Sequence, residues 1–576
     1  MAEVEEKVIM TPKSKTANST VLIVERKIAE AEPSDKIHVA GGDHTGIIIN
    51  KEKVYENGVT EPCQAQLEFS VYLVSANTGS HTREARGLKF WFKPELSLDD
   101  CAHEAQAFFR ELVSPQDFPK DYVGFIKKII KLMQNKYHKL KLLEIELRQE
   151  GACDPPPEAN GEITSKTIIY KYCNGSFIED NHANQTLISE QRVLDMIENA
   201  YPNPLSVDHF VAAGKWSKAD VKDALESLEE KGLTRLMSDG VYVRQHSIDT
   251  QVVKQMPTLS SARQPTIAIV TALYCEKQAV DAMMDNQETY VRYTTVGESN
   301  VYTLGTIGSH RVVTTKLPSV GRTREAMTAA GNSTTRLLGI FQKVEYVLLV
   351  GVGGGVPHYT DYTKHVRLGD VVVSTPAQDL PDKYVYIFCE KAQRNDKGGW
   401  DYEVKPYKPA DYLLQNIALR LAQSNAEWSN YVEEGLNRLK GVPGRWEPPE
   451  GATDRLCVDV GGGAFIEVAH PSPQGDAMRA ARIHCAPVAG GRAVAAAGEA
   501  RAAFASHARA LAYDCELDAV LDSVVGNRKD CFISIRGISD YRDGTRGKEW
   551  QPHAALAAAA VMKSIITAMD PPEECH

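Results

Sequence analysis

The sequence lacks the features of membrane and secreted proteins. Its longest apolar runs are about ten residues, whereas a helix that crosses a bilayer needs roughly 20. Its 11 cysteines include no Cys-x-x-Cys pair, and irregular spacing is typical of reduced intracellular thiols rather than of a disulfide framework. Residues 1–20 are polar and mixed in charge, so no secretory signal is expected. We therefore predict a cytoplasmic protein without membrane contact, and the sequence leaves the nucleus open.

A surplus of basic residues is also missing. The chain has 65 Lys and Arg against 76 Asp and Glu, a net charge of -11. Extensive binding of nucleic acid needs a surface rich in basic residues, so it is not expected here. Apolar residues make up 43% and charged residues 24%, which is typical of globular proteins. A length of 576 residues predicts about three domains.

The first part of the chain alternates between polar and apolar stretches. We predict a flexible tail over 1–19, an α+β domain over 20–150 and a Pro-rich linker over 151–186. Within that domain, half-buried strands are predicted before residue 92, followed by helices over 99–149. The pattern assigns no function to this domain.

Three helices followed by a hairpin are predicted over 187–246, with a polar linker over 247–264. Ser217 can cap the third helix, Lys218 to Lys231. This order resembles a winged-helix domain, a module that often binds DNA. The third helix is rich in acidic residues, however, and an acidic helix loses the counterion release that dominates DNA affinity. We therefore favour a protein partner over DNA for this domain.

Residues 265–570 alternate short apolar strands with helices, which predicts an α/β sheet. Five motifs follow one another: Ala272–Glu276, Val350–Gly355, Arg367–Ser374, Asp514–Glu516 and Arg536–Asp540. In this order they resemble the purine nucleoside phosphorylase and uridine phosphorylase family. The closest likeness, carried by Leu349–Pro357 and by Arg536–Asp543 leading to Trp550, is to its branch fused to signalling and immune-type domains. The implied fold class is α/β, a phosphorylase/nucleosidase-type domain after a winged helix and an α+β domain.

The resemblance implies cleavage of the N-glycosidic bond of a nucleoside. Asp540 matches the general acid that protonates the departing purine, and Ser539 would orient it. Glu276 matches the carboxylate that positions and deprotonates water in hydrolytic members. Each acid has a structural alternative. Asp540 can cap a helix, and Glu276 can be a first-turn acid stabilised by the helix dipole.

Other matched positions concern the sugar and the base. Glu516 would accept hydrogen bonds from the ribose hydroxyls, since an ionised carboxylate only accepts; Asp514 beside it has a less certain role. Gly353 belongs to the glycine motif of the binding site. Val494 would form an apolar wall against the purine, and Ala495 would offer backbone groups to its edge. Alternatively, Glu516 is an ordinary charge at a helix start, and Val494 is simple core.

The phosphate-binding residues of phosphorylases are replaced here. Leu349 stands where these enzymes carry an arginine, and Val352 replaces a serine; an apolar pair cannot hold a phosphate dianion. Arg322 and Arg324 begin a predicted helix, and arginines at a helix N-terminus suit anions. They would receive the 5′-phosphates of a nucleotide, such as the ATP that some members of the branch cleave. The alternative is that both are solvated surface residues.

We therefore predict a purine nucleosidase that uses water, with no metal and no cofactor. It would release a free base and ribose or ribose phosphate, act as a homo-oligomer, and serve as a signalling or immune effector. Two alternatives stay open, namely a purine nucleoside phosphorylase and a catalytically silent sensor that binds nucleotide.

Overall fold

The structure is a computed structural model. It describes the chain at residues 6–28, 37–39, 48–50, 61–74, 81–115, 117–119, 122–153, 169–173, 176–180, 188–238, 240–245, 250–293, 299–319, 321, 323–396, 398–424, 428–450, 453–461, 464–472, 480–495, 498–514, 517–542 and 547–572. None of the helices in these ranges combines the length and the apolarity needed to cross a bilayer.

Strands and helices are numbered in chain order within the described residues. The strands are β1 (Glu6–Lys15), β2 (Ser19–Ile28), β3 (Ile37–Val39), β4 (Ile48–Asn50), β5 (Ala65–Val74), β6 (His81–Phe92), β7 (Leu140–Cys153), β8 (Ile169–Cys173), β9 (Ser176–Asp180), β10 (Leu205–Ser206), β11 (Thr234–Ser238), β12 (Val241–Arg244), β13 (Thr250–Val252), β14 (Ile267–Thr271), β15 (Asp285–Arg292), β16 (Asn300–Ile307), β17 (His310–Lys316), β18 (Tyr346–Gly355), β19 (Val371–Ser374), β20 (Tyr386–Arg394), β21 (Trp400–Tyr407), β22 (Leu456–Gly461), β23 (Ala464–Val468), β24 (Ile483–Ala486), β25 (Val488–Gly490), β26 (Ala512–Asp514) and β27 (Cys531–Asp540). The helices are α1 (Leu98–Leu112), α2 (Tyr122–Asn135), α3 (Glu190–Ala200), α4 (Val207–Gly214), α5 (Lys218–Glu230), α6 (Tyr274–Asp281), α7 (Arg324–Ile340), α8 (Leu413–Gln423), α9 (Trp428–Arg438), α10 (Arg492–Ala495), α11 (Gly498–Ala508), α12 (Leu517–Gly526) and α13 (Gln551–Thr567).

The chain folds into two compact units that are not continuous in sequence. The first comprises Met1–Lys166, Pro357–His365 and Ala452–Met478, and the second comprises the remaining residues. Two segments of the stretch predicted as one catalytic domain, 265–570, therefore belong to the first unit. The physical reason is strand pairing, because β22 and β23 form a hairpin whose second strand pairs antiparallel with β5.

The first unit is built on a sheet with strand order β22-β23-β5-β6-β7-β2-β1-β4-β3. The prediction of a flexible tail over 1–19 is wrong for the described residues, because β1 pairs along its length with β2. Val8 and Ile9 of β1 are buried. Thr11 is buried as well, so the middle of a strand with polar ends contributes to the core.

The helical prediction over 99–149 is right for α1 and α2 and wrong after them. Residues 140–153 form β7, which pairs with both β2 and β6. Leu143, Ile145 and Leu147 are buried and alternate with Glu144 and Glu146, of which Glu144 is also buried and contacts Lys13 and Lys89. A period of two is the pattern of a strand with one buried face, and here it overrides the helical propensity of Leu, Lys and Glu.

The winged-helix pattern over 187–246 is confirmed. Helices α3, α4 and α5 are followed by β11 and β12, and β10 completes the sheet in the order β10-β12-β11. The predicted cap is present, since Asp220 N donates to Ser217 Oγ at 3.1 Å. The predicted linker before residue 264 also contributes structure, because β13 pairs in parallel with β15.

The large sheet of the second unit has a parallel centre. Strand β14 pairs in parallel with β17 and β18, and β18 pairs in parallel with β27. The residues of β14 are buried throughout, as are those of β18 after its first residue. Parallel strands covered on both faces read as continuous apolar runs, which is why they were recognisable in the sequence. Their carboxyl ends lie along one edge, where ligands bind in α/β sheets.

Candidate active site

The predicted catalytic motifs converge at the carboxyl ends of β14, β18 and β27. Helix α6, which carries Glu276, begins three residues after β14 ends. The register of β18 with β27 places Gly351 opposite Arg536 and Gly354 opposite Asp540. Since β18 lies between the other two strands, its glycines form the common floor of the site.

Glu276 is held by backbone amides on both of its carboxylate oxygens. Oε2 accepts from Ala272 N at 2.7 Å and from Leu273 N at 2.8 Å, and Oε1 accepts from Val352 N at 2.8 Å. The first two contacts fit the alternative of a first-turn acid, whereas the third joins α6 to β18. A carboxylate has about four lone-pair sites. These contacts use three of them.

The environment of Glu276 raises its pKa. The side chain is 1% exposed, and burial is the main cause of the rise because it penalises the ionised form. The guanidinium of Arg536 and the amide hydrogen bonds act in the opposite direction. A carboxylate that takes a proton from water benefits from a raised pKa, because it is then a stronger base.

Glycines in β18 make room for this arrangement. A β-carbon at residue 351 would collide with the carboxylate of Glu276. A β-carbon at Gly353 would lie 2.9 Å from the carbonyl oxygen of Tyr513, on neighbouring β26. Gly353 was predicted as a binding residue, and the structure adds a packing reason for its identity.

Arg536 also belongs to the site, although no role was predicted for it from the sequence. It is buried in β27, and its Nη1 lies 3.4 Å from Asp514 Oδ2 and donates to the carbonyl of Val352 at 3.3 Å. Asp514 Oδ1 accepts from Leu517 N at 2.9 Å and so caps α12. A charged residue inside an apolar strand is a signal that could have revealed Arg536, since buried charges are paired or functional.

Asp540 ends β27 and is 2% exposed. Its Oδ1 accepts from Arg542 N at 2.8 Å, and Ser539 Oγ lies 3.2 Å from Oδ2. The contact expected between Ser539 and Asp540 is therefore present. Among the described residues, the next helix is α13, which begins at Gln551 and has Trp550 as its N-cap, so Asp540 caps no helix in this part of the structure.

The end of β27 is supported by Asp370, which the sequence argument also left without a role. Ile538 N donates to the carbonyl of Asp370 at 2.8 Å, and Gly369 N donates to that of Ile538 at 2.9 Å. The carboxylate of Asp370 accepts from the backbone of Arg367 and Arg482 and contacts His484 Nε2 at 3.0 Å. This network fixes the strand immediately before Ser539 and Asp540.

The predicted sugar, base and phosphate residues are less well placed. Glu516 and Arg322 lie outside the described residues. Ala495 ends α10, and Val494 is buried in a core cluster with Phe504 and Tyr513, as the core alternative predicts. Arg324 begins α7 and is exposed, which fits the surface alternative.

The two apolar replacements in the glycine motif differ in position. Leu349 is fully buried and packs in the cluster that includes Val347, whereas Val352 packs in the cluster that includes Val350. Residues 349 and 352 therefore lie on opposite faces of β18. Among the described residues, no group of three or more His, Cys, Asp or Glu is arranged to hold a metal ion.

Comparison with known proteins identifies the central domain. The family model for a winged helix-turn-helix domain matches residues 179–246. This segment is a winged helix. A nucleotide-binding leucine-rich repeat (NLR)-like protein of Hyaloscypha variabilis is 27% identical over 325 residues, which cover 54% of this chain and 31% of that protein. The chain thus matches about a third of the length of this relative.

Solved structures similar to the chain include nucleosidases. The 5′-methylthioadenosine/S-adenosylhomocysteine nucleosidase of Neisseria meningitidis has a TM-score of 0.33 and 16% identity, covering 53% of this chain and 100% of its own. The futalosine hydrolase of Helicobacter pylori has a TM-score of 0.32 and 14% identity, covering 54% of this chain and 100% of its own. Likenesses at this level carry no conclusion about the reaction.

Proposed function

We propose that residues 265–570 form a purine nucleosidase that hydrolyses an N-glycosidic bond. The observation that carries the proposal is the convergence of two buried carboxyl groups, those of Glu276 and Asp540, at one edge of a parallel sheet. The motif resemblance supplies the chemistry, and the contacts of the two acids through β18 support it. Glycosidic cleavage needs one group to protonate the leaving base and another to activate water.

In this mechanism Asp540 donates its proton to a ring nitrogen of the purine. The bond between that base and C1′ then breaks, and its electron pair leaves with the base. The ribosyl cation is attacked at C1′ by a water molecule that donates a hydrogen bond to the remaining lone pair of Glu276. Glu276 takes the proton of that water, so the products are the free base and ribose with its 5′ substituent. Glu516 would hold the ribose hydroxyls.

Hydrolysis is favoured over phosphorolysis by the charges of the site. Arg536 is a cation beside the β18 glycines, and it already contacts Asp514. The carboxylates of Glu276 and Asp514 would repel a phosphate dianion in this place. The phosphorylase alternative requires a free cation for phosphate, and the described residues of β18 include no basic side chain.

The proposed substrate class is a purine nucleoside or nucleotide, up to the triphosphate ATP. Arg322 and Arg324 would bind the 5′-phosphates by charge-assisted hydrogen bonds. We further propose that the chain acts as a homo-oligomer in signalling or immunity and that its winged helix binds a protein. These proposals rest on the motif resemblance rather than on the site geometry.

The decisive test incubates the purified chain with adenosine, guanosine, inosine, AMP and ATP, with and without inorganic phosphate. We expect release of a purine base, detected by chromatography, at a rate that does not depend on phosphate. Ribose 1-phosphate as the main product would establish the phosphorylase instead. Binding without release of base from any substrate would establish the silent sensor. Replacing both Arg322 and Arg324 by Ala should reduce cleavage of ATP and leave cleavage of adenosine unchanged.

A further inference from the structure

The C-terminus of helix α3, in the winged helix, is bound by a lysine of the large sheet. Lys316 ends β17 and is 1% exposed. Its Nζ donates to the carbonyls of Asn199 at 2.9 Å, Tyr201 at 3.0 Å and Leu317 at 2.9 Å. A cation is favourable at a helix C-terminus, where the carbonyls carry partial negative charge. The buried ammonium therefore joins α3 to the carboxyl end of β17.

The turn that follows α3 makes further contacts with the same region. Asn203 donates from Nδ2 to the carbonyl of Pro318 at 3.2 Å, and its Oδ1 accepts from Ser299 N at 2.9 Å. The ring of Tyr201 lies edge-on to that of Tyr274, with centroids 5.2 Å apart. The winged helix thus holds residue 318 directly and packs on the first residue of α6.

A third contact comes from the end of the wing. The guanidinium carbon of Arg244 lies 5.0 Å from the centroid of the Tyr274 ring, a cation–π distance. Arg244 Nε donates to Glu198 of α3 at 2.9 Å. Tyr274 is therefore contacted by Tyr201, which follows α3, and by Arg244 of β12.

These contacts lie next to the residues that hold Glu276. Lys316 is paired with Thr271 in the parallel ladder of β17 with β14, and Leu317 N donates to the carbonyl of Thr271 at 2.8 Å. The next residues along the chain, Ala272 and Leu273, supply two of the amides that bind the carboxylate of Glu276. A displacement of the winged helix would consequently act on the start of α6.

We propose that the winged helix positions Glu276, with Lys316 as the positioning residue, so that this domain controls the activity of the site in its own chain. The inference rests on the proposed nucleosidase function. It gives the winged helix a role other than DNA binding, for which its acidic third helix is poorly suited. A protein that binds the winged helix and shifts α3 would change the rate of base release.

The test compares the full chain with the variants Lys316→Met and Asn203→Ala. Lys316→Met leaves buried carbonyls without their cation, which lowers the folded fraction. Asn203→Ala, at a half-buried position, therefore provides a second measurement. Lys222→Met, an exposed lysine of α5 in the same domain, is the matched control. We expect kcat for base release to fall about tenfold or more in both variants, with little change in KM, and to be unchanged in the control.

The pH profile separates positioning from loss of folded protein. Backbone amides stabilise the ionised form of Glu276 and lower its pKa. If the amide contacts are weaker, the acid limb of the kcat profile should therefore move to higher pH. If only the folded fraction is smaller, the rate should instead fall by the same factor at every pH at which the protein is stable. An unmoved acid limb in both variants would overturn the inference.

Hydrogen exchange tests the positioning contact without relying on the proposed activity. We expect faster exchange of the amides of residues 272–276, Leu317 and Ser319 in Lys316→Met and Asn203→Ala than in the control. If the wild-type chain releases no base, the nucleosidase proposal fails, while faster exchange at these amides would still support the positioning contact. Unchanged exchange in both variants would overturn the inference whether or not the chain is active.

Discussion

At the scale of single residues, Asp540 gives the most direct test of the chemistry. Replacing it by Asn keeps the shape of the side chain and removes the acidic proton. We expect base release to fall by roughly 10²-fold or more, the order that a general acid supplies, with little change in thermal stability. Asp530→Asn, in an exposed position just before the same strand, is the control. Near-full turnover by Asp540→Asn would remove Asp540 from the mechanism.

Glu276 gives a second prediction at this scale, because burial raises its pKa above the ordinary value of 4.5. As a base it must be ionised, so the rate should be high above this raised pKa and should fall as the pH drops through it. The fall should therefore begin at a higher pH than an ordinary glutamate would give. The measurement is the profile of kcat/KM against pH, with Glu276→Gln expected to lose activity at every pH. A rate that stays constant down to pH 4.5 would contradict the assignment.

At the scale of structural elements, β18 shows how a strand makes room for a buried carboxylate. Gly351→Ala would place a methyl group against the carboxylate of Glu276. We expect a large loss of kcat and a destabilisation of about 1–3 kcal/mol, the usual cost of overpacking. Gly339→Ala in α7 is the matched control, because a β-carbon there meets no neighbour within 4 Å. Helix propensity predicts that this control is stabilised by about 0.5–1 kcal/mol, as thermal or urea unfolding would show.

At the scale of the whole molecule, the first unit depends on a hairpin that is distant in sequence. Ile466 and Val468 of β23 are buried against β5, so a fragment of residues 1–166 lacks part of its sheet. We expect this fragment to unfold at a lower temperature than the unit in the full chain, or to aggregate through the open edge of β5. Joining residues 452–478 to the fragment by a Gly/Ser linker should recover stability. Equal melting temperatures with and without the hairpin would contradict this view of the unit.

Local patterns in the sequence were enough to predict the winged helix, the parallel strands β14 and β18, and the order of the catalytic motifs. Caps, alternation and apolar runs depend on residues a few positions apart, so the sequence expresses them directly. The assignments of Glu276 and Asp540 came from motif resemblance, and their catalytic roles stay predictions. Glu276 follows β14 and Asp540 ends β27, and β18 lies between these two strands. The two acids lie at one edge of the sheet because parallel strands bring their carboxyl ends together.

Other features were decided only by tertiary structure. The contact of Arg536 with Asp514, the burial of Leu349 and the union of residues 456–468 with the first sheet join positions far apart in the chain. The strand β7 belongs with them, since its charged residues favour a helix until neighbouring strands offer hydrogen bonds and a core for its alternate side chains. Such contacts gain their free energy from burial and pairing between distant segments, and no local pattern records which segments will meet.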